Sequence, residues 1–425
     1  MFNKIFSNKY LLSSIKKVIT ILCSVATTSL ISRYLGPELK GEYSVFISML
    51  NIAVIFAEFG LFKLYSKAKR DKMENSSNLF FSLCILKFVF LLVSAVFVTL
   101  IMIGVNSSKY LWLLPVMVCV NALQGELVFM LLLDKFKKTV IISSLAPILN
   151  TMLLLFAYLF LKRNLYFVLA AFMIKDIFSV ASCIIFGKYK LIVSKNVWEI
   201  IKNNTSIIVY PVIAALLLDF NYKIDVFFLK GMTSTYIVGI YASAVSLSEI
   251  AWMVPDIFKE VLFNKTAKSD SVDSINFSLR VTNVIVLLFS IGVILFGKLI
   301  IKILFGDEDI DSYSVALVLL LGVHSMAVFK ILNPLYQSTG QWKLYTTTLF
   351  IGVIANVILN ASTIPLIGAY GAAASSVVSY AVCGGVLLYS YTKQYKVKVR
   401  QVFMINQNDL KYFRSFFMKR GVHNG

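Results

Sequence analysis

The chain has 425 residues, is 59% hydrophobic and carries a formal net charge of +20; its mean hydropathy is +0.82. A soluble chain is about 45–50% apolar, so this composition excludes a water-facing globular exterior and predicts a polytopic, all-α integral membrane protein. Cys23, Cys84, Cys119, Cys183 and Cys383 all fall in apolar segments with no CxxC, and His324 and His423 stand far apart. The sequence therefore indicates no zinc site, disulfide framework, catalytic triad or cofactor.

At the N-terminus Lys4, Lys9, Lys16 and Lys17 precede an apolar run over 18–31, which ends in Ser32-Arg33-Tyr34 without a small-residue cleavage pattern. This predicts an uncleaved first span. A bilayer span needs about 20 apolar residues. Hydropathy predicts twelve, at 11–34, 41–64, 79–103, 110–133, 139–161, 165–187, 206–230, 235–262, 277–305, 312–335, 343–367 and 369–391.

Charge alternates between the connections. One side holds Lys63, Lys67, Lys69, Arg70 and Lys72, then Lys135, Lys137 and Lys138, then Lys188, Lys190, Lys195 and Lys202, then Lys259, Lys265, Lys268 and Arg280. The tail after Thr392 adds eight more Lys and Arg. The other side has Lys40, Lys109, Lys162, Arg163 and Lys230, with the acidic run Asp307-Glu308-Asp309 and Asp311. The positive-inside rule predicts cytoplasmic termini and an even number of spans. This bias accounts for most of the net charge without nucleic-acid binding, and the tail is placed to touch anionic lipid.

The basic connection 188–205 divides the spans into lobes 1–187 and 206–392, leaving a tail 393–425. An internal echo supports the division. Gly41-Glu42-Tyr43-Ser44 and Gly239-Ile240-Tyr241-Ala242 follow the first span of each half, and Ile148-Leu149-Asn150 recurs as Ile358-Leu359-Asn360. Such placement predicts a parallel duplication.

Several charges fall at bilayer depth, where each costs about 2.5–3.5 kcal/mol on insertion scales. Arg33 lies near the outer end of span one and Lys175 mid-span six; Asp176 points about 100° away from Lys175, which predicts no ready-made pair. Asp219, Tyr222 and Lys223 share one face of span seven. Asp225 follows, and Glu249 is near the middle of span eight. Arg33, Lys175 and Lys223 are candidate cavity cations for an anionic head group, and Asp219 and Glu249 candidate acids for a coupling proton or Na⁺. The alternative is that these charges join helices as ion pairs. Lys87, Lys302 and Lys330 are close enough to span ends to snorkel. Thr20, Ser24, Thr27 and Thr28 either meet a sugar or bond between helices, and the small residues from Gly371 to Ser376 predict close packing. No GxxxxGK[ST], GxSxG or HExxH occurs.

The stretch Ser32-Arg33-Tyr34-Leu35-Gly36-Pro37-Glu38 with Gly41-Glu42-Tyr43-Ser44 resembles the first-loop signature of bacterial polysaccharide-repeat flippases of the Wzx type. Asp225 to Leu229, Val238 to Ala244, Ser248-Glu249 and Pro255 resemble their spans seven and eight. Leu335 to Gly340 is similar to their turn after span ten, and Ile364 to Gly368 with Gly371-Ala372-Ala373 and Ser375 to the turn between spans eleven and twelve. The resemblance implies two six-helix lobes around a central cavity, in the superfamily of multidrug, oligosaccharidyl-lipid and polysaccharide exporters. It implies alternating access that carries an undecaprenyl-pyrophosphate-linked oligosaccharide to the periplasmic leaflet of the bacterial inner membrane, for O-antigen, capsule or another exopolysaccharide. H⁺ or Na⁺ antiport is the implied energy source, and a polysaccharide polymerase and chain-length regulator are the implied partners. Arg33, Asp225 and Glu249 stand in these motifs.

A multidrug or metabolite exporter of the same superfamily would share the fold. The lipid II flippase usually has fourteen spans. A polymerase or ligase resembles a chain with a long outer loop bearing Arg and His, whereas the outer loops here are short, so a non-enzymatic role is expected.

Overall fold

A computed structural model describes residues 9–104, 110–192, 205–266, 272–404 and 409. Most of the expected linker 188–205 and of the expected tail 393–425 lies outside the described residues. Among them every regular element is helical. The order is α1 Lys9–Glu58, α2 Leu61–Arg70, α3 Ser76–Gly104, α4 Leu114–Asp134, α5 Phe136–Phe160, α6 Leu165–Gly187, α7 Thr205–Met232, α8 Thr235–Glu249, α9 Met253–Thr266, α10 Val272–Leu304, α11 Ser312–Ser338, α12 Trp342–Ile367, α13 Ala369–Tyr395 and α14 Val399–Phe403. Short 3₁₀ turns stand at Leu111–Leu113, Ile250–Trp252 and Asp307–Asp309.

Helices follow from the composition, because hydrocarbon offers backbone N–H and C=O groups no partner and a helix satisfies them within one segment. Among the described residues ten helical stretches are long and apolar enough to cross a membrane. The first of them, in α1, is two helices joined at a kink, and α7 stands where the seventh span is expected. Each expected span thus has its helix. The kink is at Gly36, with φ 69° and ψ 174°, a conformation almost confined to glycine. Pro37 then opens the second half of α1, a position that wastes no N–H.

The element ends differ from the hydropathy reading in two informative places. The second span stops at Glu58, because Phe59 (φ 47°) and Gly60 (φ 65°) turn left-handed. The expected basic loop that follows is instead the amphipathic α2, with Leu61, Leu64, Tyr65 and Ala68 buried at helical spacing. Asp134 pins it: Tyr65 donates from its hydroxyl at 2.7 Å and Lys69 lies 2.7 Å away, while the Tyr189 hydroxyl donates to the same carboxylate at 3.1 Å. Span eight is also not one helix. Its α-helical hydrogen bonding breaks into a 3₁₀ turn directly after Glu249, the kind of mid-helix break that marks a hinge.

The chain forms two compact units. The first comprises residues 1–230, 234–239 and 304–309. In it α5 packs on α1 and α6, and α4 on α1, α3 and α6. One core layer centres on Tyr34, Phe46, Leu154 and Leu169, and another on Leu64, Phe80, Leu127 and Met130. The second unit comprises 231–233, 240–303 and 310–425, where α13 packs on α11 and α12. Apolar side chains gain little by leaving lipid for a helix interface, so small residues and close approach hold membrane helices together. The small-residue side of α13 does this as expected: a Cβ on Gly371 would stand 2.6 Å from the Thr363 carbonyl oxygen. Elsewhere large apolar side chains face outward, as Leu86, Phe90, Val93 and Phe97 do along one side of α3.

Candidate functional site

The expected site residues divide between the units. Arg33, Lys175, Asp219, Lys223 and Asp225 belong to the first and Glu249 to the second.

Arg33 sits at the Gly36 end of the first unit. Its Nε donates to the Leu304 carbonyl oxygen at 3.3 Å, and the Ser29 hydroxyl donates to the same oxygen. Leu304 closes α10, so this carbonyl has no helical partner of its own and lies at the negative end of the helix dipole. Other cations gather on the segment that follows. Arg163 grips Glu308 with two parallel hydrogen bonds of 3.0 and 2.7 Å. The fork geometry and the guanidinium charge hold the Glu308 carboxyl below the usual range. Lys40, which the sequence reading leaves among the loop charges, is 3% exposed. Its ammonium donates to Ser32 Oγ, lies 4.6 Å over the Phe305 ring and feels the buried Asp309.

Two glycines make a reciprocal contact beside this cluster. A Cβ on Gly239 would stand 1.8 Å from the Pro37 carbonyl oxygen, and one on Gly41 would stand 2.0 Å from the Thr235 carbonyl oxygen. The start of α8 and the second half of α1 thus touch backbone to backbone. These are the two positions that the Gly-x-Tyr echo matches.

Lys175 corrects the sequence reading. It pairs with Asp176 at 2.9 Å and lies 5.1 Å over the Phe172 ring. The Cβ vectors do diverge, but the four-carbon lysine stem curls back across that angle. Asn121 of α4 steadies the carboxylate, donating from Nδ2 to Asp176 Oδ2 at 2.9 Å. Lys87 and Lys330 do not snorkel either. Lys87 pairs with Glu126, and Lys330 with Asp256 at 3.0 Å, 5.1 Å over the Trp252 ring. The polar face of span one bonds to a neighbouring helix through Thr27 and Thr151, 3.1 Å apart.

In α7 Asp219 is half-buried with Lys223 as its cationic neighbour, and Asp219 Oδ2 has no hydrogen-bond partner. Asp225 is 1% exposed. Glu249 borders a small cavity with Ser248, Trp252, Val323 and Tyr380. Among the described residues no group of His, Cys, Asp and Glu is arranged to hold a metal.

The model of one protein family matches residues 7–263, more than half of the sequence. The chain belongs to the polysaccharide biosynthesis protein family. Solved structures show the same fold at low identity. The lipid II flippase MurJ in an inward closed conformation gives a TM-score of 0.69 at 14% identity, covering 98% of this chain and 93% of that one. An inward-facing multidrug resistance MATE transporter of the MOP superfamily gives 0.65 at 12% identity, with coverage of 92% and 98%. An outward-facing one gives 0.60 at 13%, with coverage of 90% and 96%. No curated protein matches the sequence. The family member described here therefore has the fold of flippases and multidrug transporters.

Proposed function

We propose that the chain is a flippase that moves an undecaprenyl-pyrophosphate-linked oligosaccharide repeat unit from the cytoplasmic to the periplasmic leaflet of the bacterial inner membrane. The family match over residues 7–263 carries this reading, because it joins polysaccharide assembly to a fold shared with a lipid flippase. In this reading lobes 1–187 and 206–392 alternate around a central cavity, with both termini cytoplasmic. Arg33, Lys175 and Lys223 attract the pyrophosphate, and Asp219, Asp225 and Glu249 respond to an H⁺ or Na⁺ gradient. The product would pass to a polymerase and a chain-length regulator. No step makes or breaks a covalent bond, so the role is not enzymatic.

The test is the leaflet position of a labelled lipid-linked oligosaccharide in proteoliposomes under an imposed pH or Na⁺ gradient. Protein-dependent, gradient-sensitive movement is expected, and it should fall at least tenfold when Arg33, Lys175 and Lys223 are all changed to Gln. No movement in correctly oriented protein would overturn the reading. Movement of cationic drugs instead would favour a multidrug exporter, a reading supported by the likeness to MATE structures.

A further inference from the structure

A second group of charges lies inside the first unit, apart from the residues assigned above. Lys87 of α3 donates to Glu126 Oε1 of α4 and to two backbone carbonyls, Ala57 O at 2.7 Å and Glu58 O at 3.4 Å. Those carbonyls are in the last turn of α1, where helix acceptors are left over and the dipole is negative. The Glu58 carboxyl is there too. Its Oε1 would be 2.4 Å from a Cβ on Gly125, so the absent side chain of Gly125 makes room for Glu58 beside Glu126. Glu58, Lys87 and Glu126 act on one another electrostatically.

Glu126 is 2% exposed, and its Oε2 is buried without a hydrogen-bond partner. It borders a small cavity lined by Leu61, Phe62, Tyr65, Phe80, Cys84 and Met130. Two ionised carboxylates and a helix end would face one ammonium here. One negative charge would remain uncompensated between a fully buried Glu126 and a partly exposed Glu58, and such a charge is disfavoured. A single proton shared by the carboxyls removes it, because like-charged acids in one site do not both stay ionised. It would also supply an O–H donor beside Glu126 Oε2, which has no hydrogen-bond partner.

Among the described residues the cation that acts on both carboxyls is Lys87. Besides Lys87, α3 presents Cys84, whose thiol neighbours Glu126, and α2 presents Tyr65. α6 contributes Cys183 to the same core, and its Lys175–Asp176 pair is engaged with Asn121, more than a helical turn from Glu126. α5 carries no charged residue between Thr139 and Phe160.

We propose that Glu58 and Glu126, bridged by Lys87, form a proton-binding site that holds one exchangeable proton inside the first unit. Binding converts one carboxylate to a carboxylic acid and breaks no other bond. Without the proton Lys87 must serve two carboxylates; with it, one. Occupancy thereby alters the junction of α1, α3 and α4. That this proton drives transport rests on the function proposed above.

The test is infrared spectroscopy of the full chain in lipid without substrate, reading the stretch of protonated carboxyl groups at neutral pH. Glu58→Gln or Glu126→Gln should remove one carboxyl's share of the band, and Lys87→Gln should add one, since both acids then hold protons. Glu74→Gln, on an exposed residue, should change nothing. Size-exclusion chromatography checks that each variant is folded, and the two glutamate variants stand independently. An unchanged band in both glutamate variants would overturn the proposal. Substrate is absent, so failure of flipping with the band intact overturns only the transport reading, and flipping with an unchanged band overturns only this site.

Discussion

Gly239→Ala would place a methyl carbon 1.8 Å from the carbonyl oxygen of Pro37. Carbon–oxygen packing needs about 3.5 Å, so the two segments would have to part by roughly 1.7 Å. Neither neighbour can give way by a rotamer change, because the obstructing atom is backbone. Overpacking of this kind costs about 1–3 kcal/mol, and Gly41→Ala against the Thr235 carbonyl should cost a similar amount. Reciprocity makes a sharper demand. Once one methyl has parted the segments, the second meets less resistance, so the double variant should be destabilised by less than the two singles together. Gly292→Ala is the control, because nothing lies within 4 Å of its Cβ position. Denaturant unfolding of purified protein in detergent, followed by tryptophan fluorescence, gives all four values. Single variants as stable as Gly292→Ala, or a strictly additive double variant, would refute the contact.

Three further outcomes are expected. Glu308→Gln should destabilise by about 0.2–1 kcal/mol at neutral pH, the range for an exposed pair. The Glu308 carboxyl is held below its ordinary value, so the pair's contribution is complete above the ordinary glutamate range and fades as pH falls through the lowered value. The gap in melting temperature from wild type should close on that acid side, and a pH-independent gap would contradict the pairing. Asp409→Asn leaves Arg280, 12% exposed, without the carboxylate that accepts its 2.8 and 2.5 Å hydrogen bonds. Breaking a buried pair costs about 3–5 kcal/mol, so unfolding should shift by that order, and a shift under about 0.5 kcal/mol would count against the contact. Tyr65→Phe removes one donor to Asp134 and should loosen α2 by about 1–3 kcal/mol, read as faster amide exchange over Leu61–Arg70.

The span pattern was legible because a helix in lipid announces itself by length and apolarity alone. The family was legible too, since the first-loop and span-eight segments fall within the family match. The ends of elements were less so. Nothing in the hydropathy of 41–64 marks Phe59 and Gly60 as a left-handed turn, and the 3₁₀ break after Glu249 leaves no compositional trace. The partners of the charges were the least legible. Lys175 and Asp176 are adjacent, yet the stem that closes their pair depends on rotamer choice. Lys40 gave no signal apart from its place between the quoted halves of the first-loop motif, and its burial depends on a segment far along the chain. The Ile-Leu-Asn echo did mark something physical: Asn150 and Asn360 are both buried.

The bond between Lys87 and Glu126 also bears on how the protein enters the membrane. During synthesis α3 emerges before α4, so its lysine meets hydrocarbon without the Glu126 carboxylate and with Glu58 of the already made α1 as its acidic neighbour. A lone charge raises the insertion cost of a segment by about 2.5–3.5 kcal/mol, and the two segments face that cost separately only if they leave the insertion machinery one at a time. Held back and released together, they enter as a neutralised hairpin. The charge pair thus favours a delay between the making of α3 and its release into lipid, and the order of assembly is written into the same residues that later hold the helices together.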